Sequence, residues 1–224
     1  MTLQICIGYN KNIDGIVLQH SIRRRASIGV DIHIVPEHEI LLSRPQEDNQ
    51  STPFSFTRFL SSYIWKYKGF TVFMDPDMLC LCDVREIEQM FDPQYVVQVV
   101  KHEYVPRSPT KFVDLVQRPQ LAYPHKNWSS FMILNNEKCR DVYTLETVNT
   151  LSGLTLHGFT NLRDTDVGSL PKEYNYLVGE DNQAEQAKIV HFTNGMPYAP
   201  GLNNCQYADV WNQELTEALR HRFA

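Results

Sequence analysis

The stretch that decides the fold is Phe70-Thr71-Val72-Phe73-Met74-Asp75-Pro76-Asp77. Its first five residues are mostly apolar and follow Gly69, which is typical of a buried strand. Two carboxylates one residue apart at the end of such a strand are costly to hold unless a cation neutralises them. Because Mg²⁺ and Mn²⁺ prefer carboxylate oxygens, Asp75 and Asp77 predict a divalent-metal site. In α/β proteins this end of a strand lies at the ligand crevice.

Strand and helix patterns alternate on both sides of this stretch. The predicted strands span residues 3–7, 31–35, 70–74, 95–100, 131–134 and 188–190, and the predicted helices span residues 14–28, 56–65, 84–91 and 139–151. The alternation predicts an α/β fold with a mostly parallel sheet flanked by helices. A length of 224 residues suits a single domain spanning residues 1–224.

Local signals add detail to this outline. Asp14 is expected to cap the first helix, and Arg23-Arg24-Arg25 is expected to form an exposed face of it. Segments 43–53 and 104–124 are polar or rich in proline, which predicts irregular loops.

Composition and charge limit the classes of function. Hydrophobic residues make up 42% and charged residues 21% of the chain, as in an ordinary globular protein. The net charge of −5 provides no basic field for nucleic acid or for an anionic membrane. No apolar run approaches the roughly 20 residues needed to span a bilayer, so an integral membrane protein is not expected. The five cysteines form no CxxC pair and the N-terminus shows no signal-peptide pattern, which predicts a reduced, cytoplasmic protein.

Further motifs surround the Asp75-Pro76-Asp77 turn in a defined order. They are Gly8-Tyr9-Asn10, Ser55-Phe56-Thr57-Arg58-Phe59, Trp128-Ser129-Ser130-Phe131-Met132-Ile133-Leu134-Asn135, Leu170-Pro171-Lys172-Glu173-Tyr174-Asn175 and Val190-His191-Phe192-Thr193-Asn194-Gly195-Met196-Pro197-Tyr198. With these motifs the chain resembles the family 8 glycosyltransferases, the glycogenin-like and galactosyltransferase-like enzymes. The resemblance covers most of the chain and implies a GT-A fold, a single domain with a Rossmann-like, mostly parallel sheet.

The resemblance also implies a reaction and a cofactor. In such enzymes the two aspartates and a later histidine bind Mn²⁺, and the matching residues here are Asp75, Asp77 and His191. Two oxygens and one imidazole nitrogen suit Mn²⁺, with Mg²⁺ as the alternative. The ion bridges the diphosphate of a UDP-sugar and acts as a Lewis acid and template. The implied activity is metal-dependent transfer of a hexose from a UDP-sugar to an unknown acceptor (a sugar, lipid or protein), with retention of configuration.

The remaining implied site residues surround the donor. Gly8, Tyr9 and Asn10 would lie over the uracil and ribose, with Tyr9 as a stacking face. Arg58 would contact the diphosphate or the sugar. Ser129 and Ser130 would lie near the donor sugar, at positions where the family often has Asn and Asp.

Three residues of the later motifs complete the set. Asn175 would fix the loop that shapes the site. Asp164 and Asp166 occupy the region that supplies a polar group near the anomeric carbon, so they are the candidate catalytic residues.

One departure from the family concerns phosphate binding. The family carries a Lys-Pro-Trp sequence where this chain has Met196-Pro197-Tyr198. Without that lysine, the contact with phosphate would fall to Arg58, Lys188 or the backbone N–H of Gly195.

Other interpretations of the same residues remain open. A strand that ends in DxD also opens haloacid-dehalogenase-like phosphatases, where the first Asp is a nucleophile and the second a general acid. That motif normally lies near the N-terminus and continues with Thr or Val, whereas Met78 follows it here. A third interpretation is a nucleotide-sugar-binding protein without turnover, which the missing lysine favours and the retained Asp75, Asp77 and His191 oppose. Individually, the two aspartates could cap a turn and His191 could be a structural histidine.

Overall fold

The computed structural model describes residues 2–9, 12–35, 42–44, 55–113, 115–182 and 186–223. Asn10, one of the expected donor-binding residues, lies outside these ranges. Residues 45–53 of the loop expected at 43–53 also lie outside them. Within them the strands are β1 (Thr2–Gly8), β2 (Gly29–Val35), β3 (Phe70–Met74), β4 (Met78–Cys80), β5 (Val97–Val99), β6 (Thr110–Val113), β7 (Val116–Pro119), β8 (Phe131–Asn135), β9 (Val167–Ser169), β10 (Tyr176–Leu177) and β11 (Ile189–His191). The α-helices are α1 (Asp14–Arg25), α2 (Ser61–Ile64), α3 (Val84–Gln89), α4 (Asn136–Cys139), α5 (Leu145–Thr150), α6 (Gly153–His157) and α7 (Ala208–Phe223).

A six-stranded sheet forms the centre of the fold, in the order β2-β1-β3-β8-β5-β9. The pairs β1–β2, β1–β3 and β5–β9 are parallel, and only β8 runs antiparallel to its neighbours β3 and β5. The expected mostly parallel α/β sheet is therefore confirmed. Strand β3 is buried on both faces because its side chains alternate between two apolar clusters. Phe73 packs into one cluster, and Val72 and Met74 pack into the other.

A small second sheet, β10-β11-β4, positions the Asp75-Pro76-Asp77 turn, which carries two of the predicted metal ligands and is called the metal turn below. Asp75-Pro76-Asp77 connects β3 of the large sheet to β4 of the small one. Strand β11 pairs antiparallel with β4, and His191 lies opposite Met78 in that register. Because the pairing sets the end of β11 beside the start of β4, His191 reaches Asp77 across 114 positions of sequence separation, that is 191 − 77.

Several local expectations are corrected by the structure. The segment 104–124 contains a β-hairpin, β6–β7, rather than only irregular loop. Residues 56–65 form a 3-10 turn followed by the short α2, and 139–151 is interrupted between α4 and α5. The predictions for residues 104–124 and 56–65 differ from the structure because helix and strand propensities are weak in short segments, where tertiary contacts decide the conformation.

The first helix also differs from its expected description. Asp14 is its first residue rather than its cap, and the Asp14 carboxylate instead accepts hydrogen bonds from the Tyr198 hydroxyl at 2.9 and 3.0 Å. Arg25 is not simply exposed, because it pairs with buried Glu214 of α7 at 2.9 Å. Arg24 pairs with Glu217 of the same helix. These partners come from the far end of the chain, so local patterns could not reveal them. No helix among the described residues is long and apolar enough to cross a membrane.

Candidate active site

The Asp75-Pro76-Asp77 turn is fixed by backbone hydrogen bonds on both sides. The Asp75 N–H donates to the Ser130 carbonyl at 2.9 Å. The Phe192 N–H donates to the Asp77 carbonyl, also at 2.9 Å. These two bonds connect the turn to the segments before β8 and after β11. The carboxylates are therefore held on a rigid backbone at the carboxyl end of β3, where ligands of α/β sheets bind.

His191 is oriented by a buried hydrogen-bond relay. The Asn175 amide nitrogen donates to the Ser130 hydroxyl oxygen at 2.9 Å and to the Asn127 carbonyl at 3.1 Å. Its amide oxygen therefore faces His191 and accepts from Nδ1–H at 3.0 Å. With the proton assigned to Nδ1, Nε2 carries a lone pair and lies 3.5 Å from Asp77 Oδ1. A fixed tautomer with a free Nε2 is the usual arrangement of a metal-ligating histidine.

Asp75, Asp77 and His191 form a cluster that fits a divalent ion. Each offers one ligand atom, and these atoms all lie within 4.8 Å of one another. Oδ1 of Asp77 is buried and accepts no hydrogen bond from the described residues, whereas the buried Oδ1 of Asp75 has Nη1 of Arg58 3.1 Å away as an ion-pair partner. Buried carboxylate oxygens without a donor are costly, and a cation would satisfy them. Two carboxylates and one imidazole form a ligand set for a hard or borderline divalent metal.

The surroundings of Asp75 and Asp77 shift the pKa values of their carboxyl groups in opposite directions. Burial raises the pKa of Asp75 to about 6, with Arg58 opposing that shift and Asp77 adding to it. Burial also disfavours the charged form of Asp77, but when His191 is protonated on both ring nitrogens, its charge and hydrogen bond, together with the charge of Lys111, outweigh burial, and the pKa of Asp77 is below its usual value. The negative charge is therefore concentrated on Asp77 in the metal-free protein.

Arg58 connects the metal turn to the Ser129 segment. It lies in the 3-10 turn Thr57–Leu60 and is only 5% exposed, so it is not a surface arginine. Its Nη1 donates to the Ser129 carbonyl at 2.9 Å and lies 3.1 Å from Asp75 Oδ1. A guanidinium with several fixed donors suits such bridging, and it also suits binding of a phosphate or a sugar hydroxyl.

A pocket of about 610 Å³ opens directly beside the cluster. This volume lies within the range of sites for small molecules and cofactors. Its charged lining among the described residues comprises three carboxylates and three cations: Asp14, Asp75, Asp77, Arg58, Lys111 and Lys126. Ser129, Ser130, His157 and Gly195 also line it. The rim carries the exposed apolar side chains Leu115, Leu121 and Leu154.

The structure brings most of the sequence-predicted site residues together. Asp75, Asp77, His191, Arg58, Ser129, Ser130 and Gly195 line the pocket, and Asn175 lies directly behind His191. Gly8 and Tyr9 lie at the end of β1 and are not among the described residues that line the pocket. Tyr9 is 36% exposed there.

Asp164 and Asp166 are not brought to the pocket. They lie in a short 3-10 turn that precedes β9, at the edge of the large sheet. The Asp166 carboxylate accepts hydrogen bonds from Nε and Nη2 of Arg163, each at 2.8 Å. Arg163 is three residues earlier and lowers the pKa of Asp166. The two aspartates that were expected near the anomeric carbon therefore belong to a local surface turn.

Sequence reasoning missed several pocket residues. Lys111 comes from the segment 104–124 that was expected to be irregular, Lys126 follows that segment, and neither belongs to a motif. His157, at the end of α6, packs its ring edge-on against Phe59 and bonds through Nδ1 to the Ser129 hydroxyl at 2.7 Å. Burial, together with the nearby Arg58, holds the pKa of His157 well below its usual value, so the imidazole is neutral. His157 belongs to none of the predicted helices or motifs, so the sequence carried no signal for this placement.

Known proteins of similar sequence or structure are consistent with this architecture. No protein-family model matches the chain. It is 35% identical over 226 residues to protein CDI of Arabidopsis thaliana, and the match covers 96% of this chain and 86% of that protein.

Solved structures show the same fold at low sequence identity. The bifunctional glycosyltransferase WbbM superposes with a TM-score of 0.66 at 15% identity over 100% of this chain, which spans about half (52%) of WbbM. The galactosyltransferase LgtC, solved with donor and acceptor sugar analogues, has a TM-score of 0.60 at 11% identity, covering 97% of this chain and 96% of LgtC. Mouse xyloside xylosyltransferase 1 has a TM-score of 0.55 at 14% identity, covering 88% of this chain and 100% of that enzyme. The sheet described above is accordingly that of the GT-A glycosyltransferase fold, and by its 35% identity along nearly its whole length the chain belongs to the family of Arabidopsis protein CDI.

Proposed function

We propose that the protein is a metal-dependent glycosyltransferase, related to the family 8 enzymes, that transfers a hexose from a UDP-sugar to an acceptor with retention of configuration. The observation that carries the proposal is the Asp75–Asp77–His191 cluster beside a pocket of about 610 Å³ on a GT-A sheet. Residues 1–224 would act as a single domain. The acceptor is a sugar, lipid or protein, and a cytoplasmic location stays a prediction.

Asp75, Asp77 and His191 would hold the ion, with Mn²⁺ favoured over Mg²⁺ because one ligand is an imidazole. Bound there, a divalent ion would offset the charge that develops on the leaving diphosphate. Asn175 would keep His191 in the tautomer that presents Nε2 to the ion. Asp75, Asp77 and His191 would bind the ion and Asn175 would orient His191. The charges of the site would therefore already be in position before the donor binds.

Arg58, Ser129 and Ser130 would orient the donor. The Arg58 guanidinium already bridges Asp75 and the Ser129 carbonyl, so it lies between the metal site and the sugar-binding side of the pocket. The Ser129 hydroxyl is held by neutral His157. This pair offers a sugar hydroxyl one donor and one acceptor in a desolvated setting, where hydrogen bonds discriminate strongly between substrates.

The competing functions differ in what supports them. The similar solved structures have the GT-A fold and are named as glycosyltransferases, which supports transfer over the phosphatase interpretation. A nucleotide-sugar-binding protein without turnover would use the same ligands. Only an assay of reaction separates that possibility from the proposed enzyme.

The test combines binding and turnover. Thermal unfolding of the purified protein is measured with UDP and a panel of UDP-sugars, with and without Mn²⁺, because a ligand that binds the native state raises the unfolding temperature. A shift that requires both Mn²⁺ and the uridine nucleotide supports the donor site, and it should vanish in Asp77→Ala. Release of UDP from the best donor, followed by liquid chromatography, then tests for reaction. Unchanged Mn²⁺-dependent binding in Asp77→Ala would refute the metal site, and binding without any release of UDP would favour the non-catalytic alternative.

A further inference from the structure

The β6–β7 hairpin is fastened to the segment that follows the histidine of the metal cluster. The Phe112 N–H donates to the Asn194 carbonyl at 3.0 Å. The Gln120 side-chain amide donates to the Asn194 side-chain oxygen, also at 3.0 Å. Lys111 of β6 lies in the pocket lining together with its neighbours Phe112 and Val113. The hairpin therefore forms a wall of the pocket close to the metal cluster.

The β6–β7 hairpin packs directly against Gly195. A Cβ atom added to Gly195 would lie 2.8 Å from Cβ of Phe112 and 2.9 Å from Cδ1 of Leu202, closer than real contacts allow. Its φ of 128° is also unfavourable for other residues. The Gly195 N–H donates to the Phe192 carbonyl at 2.9 Å, so it is already used within the turn. The glycine of this motif thus allows the hairpin to approach rather than offering its amide to phosphate.

The other two expected phosphate contacts are also accounted for. Lys188 pairs with Glu86 and is not among the described residues that line the pocket. Arg58 lines it but is engaged with Asp75 and the Ser129 carbonyl. Among the cations that the structure describes in the pocket lining, Lys111 and Lys126 remain.

Both lysines are held there at a cost that a ligand would offset. Lys126 is 5% exposed and lies with its amine 5.0 Å from the centre of the Tyr123 ring. Burial lowers the pKa of Lys126 to about 8 and also lowers that of Lys111, whereas Asp77 and Asp75 favour the charged form of Lys111. Within the described part of the chain, neither amine forms an ion pair or a hydrogen bond to a carboxylate. A buried ammonium without such a partner is unfavourable.

The charges of the pocket indicate which ligand would fit. Its three carboxylates and three cations balance without a metal. A divalent ion at Asp75, Asp77 and His191 would leave an excess of two positive charges, which the two negative charges of a nucleoside diphosphate-sugar would neutralise. We propose that Lys111 and Lys126 bind the diphosphate of the donor, so that the hairpin supplies the cations that the Met196-Pro197-Tyr198 sequence lacks. This inference rests on the proposed function, since it names the residues that bind the donor at the same site.

The test is titration calorimetry of Lys111→Met and Lys126→Met with UDP in the presence of Mn²⁺. Each variant should bind UDP about 10- to 100-fold more weakly, as expected for loss of one charge-assisted hydrogen bond. Titration with Mn²⁺ alone separates loss of a phosphate contact from disruption of the site, because a disrupted site would lose Mn²⁺ affinity as well. Lys111→Met should bind Mn²⁺ at least as tightly as the wild type, because a cation next to the two carboxylates has been removed. Lys111→Arg should restore most of the UDP affinity.

Lys138→Met is the matched control. Lys138 is an exposed lysine that does not line the pocket, and its amine donates a hydrogen bond to the Gln94 carbonyl, so its removal changes the net charge by the same amount without altering the pocket lining. UDP binding by Lys111→Met and Lys126→Met that equals the wild type, or that falls no further than in Lys138→Met, would overturn the inference while leaving the proposed function standing. A parallel loss of Mn²⁺ and UDP binding in Lys111→Met would also overturn it, since that pattern indicates disruption of the site. If wild-type protein with Mn²⁺ fails to bind UDP, the proposed function is refuted and the inference with it.

Discussion

Replacing Asn175 by alanine should weaken metal binding although Asn175 is not expected to touch the metal. Its side-chain oxygen accepts the Nδ1–H of His191 at 3.0 Å, and its side-chain nitrogen is bound to Ser130 and Asn127. In Asn175→Ala the imidazole loses its orientation and its preferred tautomer. Loss of such a supporting residue typically lowers metal affinity about 10- to 100-fold. This corresponds to about 1.4 to 2.8 kcal/mol of binding free energy.

The same substitution should also lower stability. Asn175 is fully buried and makes three hydrogen bonds. At a net contribution of about 1 kcal/mol each, their loss costs about 3 kcal/mol of unfolding free energy. Metal affinity must therefore be measured where the variant is folded, by titration calorimetry with Mn²⁺, alongside urea unfolding of the metal-free protein.

Asn136→Ala separates the two effects. Asn136 is also fully buried, and its side-chain nitrogen donates to the Lys68 carbonyl at 2.7 Å and to the Thr71 hydroxyl at 2.9 Å. It lies at the start of α4, at the opposite end of β3 from the metal turn. Asn136→Ala should lose comparable stability and bind Mn²⁺ like the wild type. Unchanged Mn²⁺ affinity in Asn175→Ala, or an equal loss in Asn136→Ala, would refute the role assigned to the relay.

Three further predictions concern the metal ligand, the pH dependence and the hairpin. His191→Ala should weaken Mn²⁺ binding in calorimetry while its circular dichroism spectrum stays that of a folded protein; an unfolded variant would show that His191 is structural. Burial lowers the pKa of His102 to about 3. Below about pH 6.5 the unfolded chain therefore binds a proton at this residue that the native protein does not. As a result, the unfolding free energy should fall with decreasing pH by up to about 1.4 kcal/mol per pH unit. Urea unfolding from pH 7 to pH 5 should show this slope reduced in His102→Leu, and an identical slope in the variant and the wild type would contradict a lowered pKa of His102 in the native protein. Gly195→Ala should destabilise the hairpin through its contact with Phe112 and weaken UDP binding. Gly201→Ala, at φ 79° with open space around it, controls for backbone strain alone. Equal UDP binding by these two variants would contradict the role of Gly195 in packing the hairpin.

The centre of the sheet was predictable from sequence because β3 and β8 are largely continuous apolar runs, whereas the edge strand β9 was not predicted. Strand β3 spans the predicted residues 70–74, and β8 differs from its prediction by one residue. Such strands are buried on both faces, so their composition alone identifies them. The β6–β7 hairpin lacked any such signal, because Leu115 occupies the left-handed region at φ 65°, where Gly or Asn would have marked a turn. The long helix α7 was not predicted either. Its buried Glu214 is paired with Arg24 and Arg25 of α1, which is distant in sequence.

The sequence by itself determined the α/β sheet, the metal turn at the end of β3 and, through motif order, the residues Arg58, His191 and Asn175. The sheet and the turn are features of contiguous residues, where periodicity and spacing carry the information, whereas Arg58, His191 and Asn175 followed from the family resemblance that the motifs carry. Only the tertiary structure decided which charged groups share one pocket: it placed Lys111 and Lys126 beside the metal cluster, and it left Asp164 and Asp166 at the sheet edge, where Arg163 pairs with Asp166. The physical reason is that a charge takes its function from its nearest partners in space: for Asp166 that partner is Arg163, three residues earlier, whereas strand pairing and hairpin docking bring the charges of the pocket together from distant parts of the chain.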